Sequence, residues 1–131
     1  MKLGKILFSF FIIFITLSAF SSKKEKGVYA FGFSASFTDT VVYHTEIQML
    51  DSVELKRGFL PKRDLYSYQL KNYLEYNKGQ KNRTCMIYFS EDKQKLVKEK
   101  TKVLNKYKKN NKEAILTEIP QTDFTFKKAE E

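Results

Sequence analysis

His44 is the only imidazole and Cys85 the only thiol in this chain of 131 residues. A single imidazole does its chemistry as a general base, set between a nucleophile and an acid that orients it. Ser34 or Ser36 would supply the hydroxyl and Asp39 or Glu46 the carboxylate, so a small hydrolase built on His44 is the enzymatic alternative. No G-x-S-x-G elbow is present to hold such a serine strained and exposed. On an alternating strand His44 shares the more polar face with Val42, Glu46 and Gln48, where a solvent-facing or edge histidine is expected. One thiol excludes an internal disulfide or a multi-thiolate zinc site, and one imidazole excludes paired-imidazole metal sites. Cys85 shares a face with Arg83, Ile87 and Phe89 of an apolar run, which makes it a structural thiol. A glycosidic carboxylate pair would come from Asp39, Glu46, Asp51, Glu54 or Asp64, and no spacing singles out two of them. None of these patterns implies a metal or a cofactor.

The most distinctive constellation is cationic. Placed on a helix, Lys95, Lys98, Lys102, Lys106 and Lys109 fall within an arc of about 80°. Leu96, Val97, Val103, Leu104 and Tyr107 occupy the opposite arc. Such a stripe suits phosphates, anionic headgroups or an acidic polymer, and it also suits plain solvation. Lysine supplies point charges without the fork that arginine presents to phosphate. Lys93 and Lys100 lie near the apolar arc, where their stems run along it and their ammonium groups reach outward. The aromatics keep to core-periodic positions and are not interleaved with the lysines, which argues against nucleic acid.

The elements that must position these residues follow from periodicity. Residues 27–37 alternate, with Tyr29, Phe31, Phe33, Ala35 and Phe37 on one face and small residues on the other, where another element packs closely. A turn at residues 38–40 leads to a second strand over 41–47, rich in β-branched side chains. Residues 48–62 lose the pattern and, with Gly58 and Pro61 as breakers, are expected to form a loop. Asp64 caps a helix over residues 65–77 that Gly79 closes. Residues 83–89 are apolar on both faces, as a central strand would be. Ser90 caps a helix to about residue 109, with Glu91 and Asp92 in its first turn. Residues 113–119 form a last strand, and Phe124 and Phe126 alternate once more before a charged, unstructured end. The expected class is α+β, in the order β-β-α-β-α-β: a four-stranded mixed sheet in a two-layer sandwich, with parallel strands from two crossovers. In such sheets ligands favour the carboxyl ends of strands, here residues 49–52, 90–92 and 120–122.

The N-terminus reads differently. Lys2 and Lys5 precede an uncharged apolar run over residues 6–17, and Ala19 and Ser21 stand at the −3 and −1 positions of a cleavage site. That run is shorter than the roughly 20 residues of a spanning helix, which favours cleavage over retention as an anchor. No cysteine follows it, so a lipoprotein anchor is excluded. The expected organisation is a signal peptide over 1–21, a flexible stub over 22–27, one domain over 28–126 and a charged tail over 127–131. The full chain carries +9, and removal of two lysines with the leader leaves +7, from 22 bases and 15 acids.

The segments FGFSASFTDTVVYHTEIQ, YSYQL and RTCMIYF resemble a group of small exported proteins of Gram-negative anaerobic bacteria. That resemblance implies export and transfers no functional residue. The helix–strand alternation is also similar to peptidoglycan-binding domains of the sporulation-related type, which place two strands between their helices where this chain has one. The expected function is a non-enzymatic envelope binding or structural module, periplasmic or secreted, with the five lysines as its contact face. Its partner would be an anionic envelope component or another exported protein. Membrane contact is expected only through an uncleaved leader. A third reading, a subunit of a larger exported assembly, requires an exposed apolar patch on the first strand or the Phe124/Phe126 segment.

Overall fold

A computed structural model describes residues 27–129. The expected signal peptide over 1–21, residues 22–26 of the expected stub, and residues 130–131 lie outside the described residues. The elements are β1 (Val28–Ala35), β2 (Val41–Thr45), β3 (Gln48–Leu50), α1 (Arg63–Lys78), β4 (Thr84–Ser90), α2 (Lys93–Asn110) and β5 (Ile115–Ile119). The α+β class, the element order and the mixed sheet are as the periodicity implies.

β1 lies inside the sheet. It pairs antiparallel with β4 on one side and with β2 and β3 on the other. β5 pairs parallel with β2. β2, β4 and β5 therefore all run the same way, but only β2 and β5 are parallel neighbours, because β1 separates β4 from β2. Between β2 and β3 the register against β1 shifts by one residue: Phe33 faces His44, whereas Ala30 faces Gln48. That extra residue is a β-bulge. It explains why Gln48–Leu50, expected as loop, forms a strand: the alternation breaks in phase while the pairing continues. Opposite the bulge, the N–H of Gly32 donates to Thr45 Oγ1 at 2.8 Å.

The two helices cover opposite faces of the sheet, so the molecule is layered helix–sheet–helix and not as a two-layer sandwich. Tyr66, Leu70 and Leu74 of α1 pack with Val28, Ala30, Leu50, Ile87 and Ile119. Leu96 of α2 packs with Phe31, Phe33, Val42 and Ala114, and Val103, Leu104 and Tyr107 join it. The aromatic face of β1 thus meets α2, and its small face admits Leu70. β4 is an edge strand, contrary to its expected central place. Both helices pack on it, and Ile87 at its centre is 1% exposed although it has one strand neighbour. Its apolar pattern comes from α1 burying Ile87 on one face and from Met86 and Tyr88 lining a groove beside α2 on the other.

The helix ends differ in detail from expectation. The cap of α2 is Asp92, whose Oδ1 accepts from Lys95 N at 3.2 Å, while Ser90 Oγ accepts from Asp92 N at 3.0 Å. α1 starts before Asp64, with Lys62 left-handed at the cap position, so Asp64 stands in the first turn. Gly79 closes α1 at φ 66°. Beyond β5 the chain is not a free tail. Gln48 Nε2 donates to Phe124 O at 2.9 Å and its Oε1 accepts from Phe126 N at 2.8 Å. Gln69 clasps Lys127 in the same way, at 2.8 and 2.9 Å. Two buried or half-buried amides thereby stand in for a missing strand partner along this strap.

Candidate functional site

The apolar side of α2 faces the sheet through Leu96, Val103, Leu104 and Tyr107, which turns Lys95, Lys98, Lys102, Lys106 and Lys109 outward. All five are exposed, and none of their ammonium groups forms an ion pair or hydrogen bond among the described residues. The lysines near the apolar arc behave otherwise. Lys100 Nζ donates to Thr45 O at 2.7 Å and to Glu118 Oε2 at 3.2 Å, and it lies 5.7 Å from the Phe31 ring centre. Lys93 Nζ lies 6.0 Å from the Tyr29 ring centre. Lys108 donates to Ala114 O. α2 thus separates two sets of lysines, one spent on the fold and one left to solvent.

His44 is buried, 7% exposed, which corrects its expected solvent-facing place. It lies on the α2 face of β2, where Lys100 and Glu118 close over it. The bulge turns Gln48 to the other face, so the two no longer share one. Its Nδ1 has no hydrogen-bond partner among the described residues and lies 3.7 Å from Glu118 Oε2. Burial, then the Lys100 ammonium, hold its pKa below the ordinary 6.5, and Glu118 opposes them. The unfolded chain therefore takes up a proton more readily than the folded one. The stability held by neutral His44 is complete above about pH 6.5 and is lost as pH falls through the depressed folded value. Thermal melts between about pH 7.5 and 5 should show that loss, and His44→Asn should flatten it; an unchanged slope in the variant would sink this assignment.

The triad partners considered for His44 are not brought to it. Ser34 and Asp39 belong to a cluster on the α1 face, where Arg83 Nε donates to Ser34 Oγ at 3.3 Å. Arg83 Nη1 donates to both Asp39 oxygens at 3.2 and 3.0 Å. Its Nη2 donates to Val41 O, and the guanidinium lies 4.9 Å from the Tyr43 ring centre. Ser36 bonds Thr38 in the β1–β2 turn, and Glu46 accepts from Gln121 N at 3.3 Å. Cys85 is half-buried with its thiol directed to Ser34 Oγ at 3.4 Å, and burial pushes its pKa up. That combination suits an inert thiol.

Two concavities flank the sheet. One, of about 1050 Å³, opens at the carboxyl ends of β3 and β4 between Met49, Asp51, Ser52, Glu91 and Lys128. Two of the three strand ends favoured by topology meet there, and residues 120–122 do not. Its lining holds both acids and lysines, and among the described residues no three His, Cys, Asp or Glu side chains gather as a metal site requires. The other, of about 890 Å³, lies between α2 and β4 at the opposite end, lined by Phe33, Met86, Tyr88, Tyr107 and Lys106, with Phe37 at its mouth.

Two residues of consequence escaped the periodic reading. Arg83 looked like the first residue of an apolar strand, and an arginine opening such a strand was the available signal. Alternation puts Phe37 on the aromatic core face of β1, yet it is fully exposed at 101% because β1 ends at Ala35. The turn formers Ser36, Thr38 and Asp39 around it were the signal for that ending. Of the patches that an assembly subunit would expose, both faces of β1 are packed and Phe126 is buried, while Phe124 is half-buried and Phe37 is exposed. No protein-family profile, curated protein or solved structure matches the chain.

Proposed function

We propose that this protein is an exported, non-enzymatic binding module that meets an anionic partner at the cell envelope through the outer face of α2. The observation that carries this reading is the set of five exposed lysines without acidic partners on one arc of one helix. An unneutralised row of this kind raises the local concentration of polyanions and steers them inward. The hydrolase reading has no comparable support, since His44 is enclosed and its candidate hydroxyls are engaged elsewhere.

Reversing Lys98, Lys102 and Lys106 to Glu should abolish binding to a soluble polyanion such as inorganic polyphosphate, while His44→Ala leaves it intact. Wild-type affinity should fall steeply as salt rises, because exposed charges are screened within about 8 Å at physiological ionic strength. Binding that survives both the reversal and high salt would overturn the assignment.

A further inference from the structure

One end of the molecule is more specialised than the helix face alone. β1 ends there, β2, β4 and β5 begin there, and both helices finish there. Lys81 before β4 joins Lys106 and Lys109 of α2 and Lys112 beyond it, all exposed. Against them stand Glu113 and Asp39, the latter already bound by Arg83. Phe37 stands fully exposed at this end, beside Lys106 and Lys112 on the rim of one groove. Its loop is tied down: Thr38 N donates to Ser36 Oγ at 3.2 Å, Val41 N donates to Asp39 Oδ1 at 3.0 Å, and Arg83 grips Asp39 from the sheet. The phenyl ring is left in water although Phe33, Met86, Tyr88 and Tyr107 line a groove beside it. The opposite end instead mixes Asp51, Glu54 and Glu91 with its lysines.

We infer that this end docks on an anionic lipid surface, with Phe37 inserted at the headgroup level and Lys81, Lys106, Lys109 and Lys112 around it. The inference rests on the anion-binding reading above and names the partner. A soluble polyanion would use the lysines but has no place for an exposed, pinned phenyl ring. A bilayer uses both, since aromatic side chains partition into its interface and each lysine near an anionic leaflet adds attraction. End-on docking also divides the lysine row. At about 1.5 Å rise per residue, Lys95 stands roughly 20 Å from Lys109, beyond the screening length. Lys95 and Lys98 should therefore matter little to the membrane, while Lys106, Lys109 and Lys112 matter most.

The chain has no tryptophan, so Phe37→Trp in the full chain is a clean reporter. Phe59→Trp is its control, because Phe59 is 71% exposed and lies in the loop after β3, at the other end. With phosphatidylcholine vesicles containing phosphatidylglycerol, the Phe37→Trp emission should shift to the blue and be quenched by brominated acyl chains. It should do neither with phosphatidylcholine alone, and Phe59→Trp should not respond. Changing Lys106, Lys109 and Lys112 together to Gln should lower vesicle partitioning about a hundredfold, at about fivefold per lysine, and changing Lys95 and Lys98 should leave it nearly unchanged. Quenching at position 59 instead of 37 would overturn the inference, since attachment through the N-terminal leader would bring down the Phe59 end. If Phe37→Trp stays unquenched while polyphosphate still binds, the lipid assignment fails and the anion-binding reading stands. If neither vesicles nor polyphosphate bind, both fall.

Discussion

Asp39→Ala should destabilise the fold by about 3 kcal/mol, more than removal of the deeply buried arginine it holds. The Arg83 side chain is 1% exposed and that of Asp39 is 37% exposed. Without Asp39 the guanidinium remains buried and charged, with Ser34 Oγ, Val41 O and the Tyr43 ring as its remaining partners. Leaving a charge buried and uncompensated is the costly half of breaking an ion pair. Arg83→Met removes the charge itself and lets Asp39 turn to water, so its cost is that of the lost hydrogen bonds, about 1–2 kcal/mol. In the double variant the two changes should not add, and its stability should approach that of Arg83→Met alone. For a domain of this size, Asp39→Ala should lower Tm by about 15 °C. A melt showing Arg83→Met as the more damaging change would mean that the pair contributes chiefly through packing. Because Asp39 also anchors the Phe37 turn, Asp39→Ala should loosen the loop that presents the ring.

Gly32→Ala is expected to cost about 2–3 kcal/mol, which is large for a single methyl group. A Cβ at Gly32 would lie 2.5 Å from Leu70 Cδ2 and 3.3 Å from the Phe126 ring. Leu70 is fully buried against the sheet, and Phe126 is held by the Gln48 clasp. Neither has room to withdraw, so the strain must be met by displacing α1 or the strap. Leu70→Ala alone should also destabilise, by about 2–5 kcal/mol, through the cavity it leaves. Combined with Gly32→Ala, the added methyl enters that cavity, and the double variant should be more stable than the sum of the two losses implies. Chemical denaturation of the four proteins tests this. Strict additivity would show that close approach of α1 is not what requires glycine at position 32.

Much of this fold is legible in residues a short distance apart. Tyr29, Phe31 and Phe33 alternate with Ala30, Gly32 and Ser34 because a strand sends successive side chains to opposite faces. Leu96, Val103, Leu104 and Tyr107 recur at helical spacing, and the same spacing gathers the five lysines outward. What the reading misplaced shares a different cause. Gln48 appeared to fall on the face of His44, but one bulged residue reversed the alternation and sent Gln48 to the α1 face, where it holds the strap. β4 reads as central because its residues are apolar on both faces, yet only Ile87 is buried, under α1, while Met86 on the α2 face is 41% exposed. His44 read as exposed because its neighbours in sequence are polar, while Lys100 and Glu118, which close over it, lie far along the chain.

Charge, the scarcity of His and Cys, the types and order of the elements, and the lysine arc of α2 are therefore properties of composition and local spacing. The elements and the lysine arc follow from interactions between residues two, three or four apart, whose geometry is the same in any fold. The inner position of β1, the opposed helices, the enclosure of His44 and the Arg83–Asp39 grip arise from pairings dozens of residues apart. Competing strand orders satisfy the local pattern equally well, and the choice among them lies in which long-range packing buries the most apolar surface without stranding a polar group. The basic end bearing Phe37 is a product of that choice. Lys81, Lys112 and Phe37 have no common spacing, and they share one end of the molecule because strand direction brings three loops there.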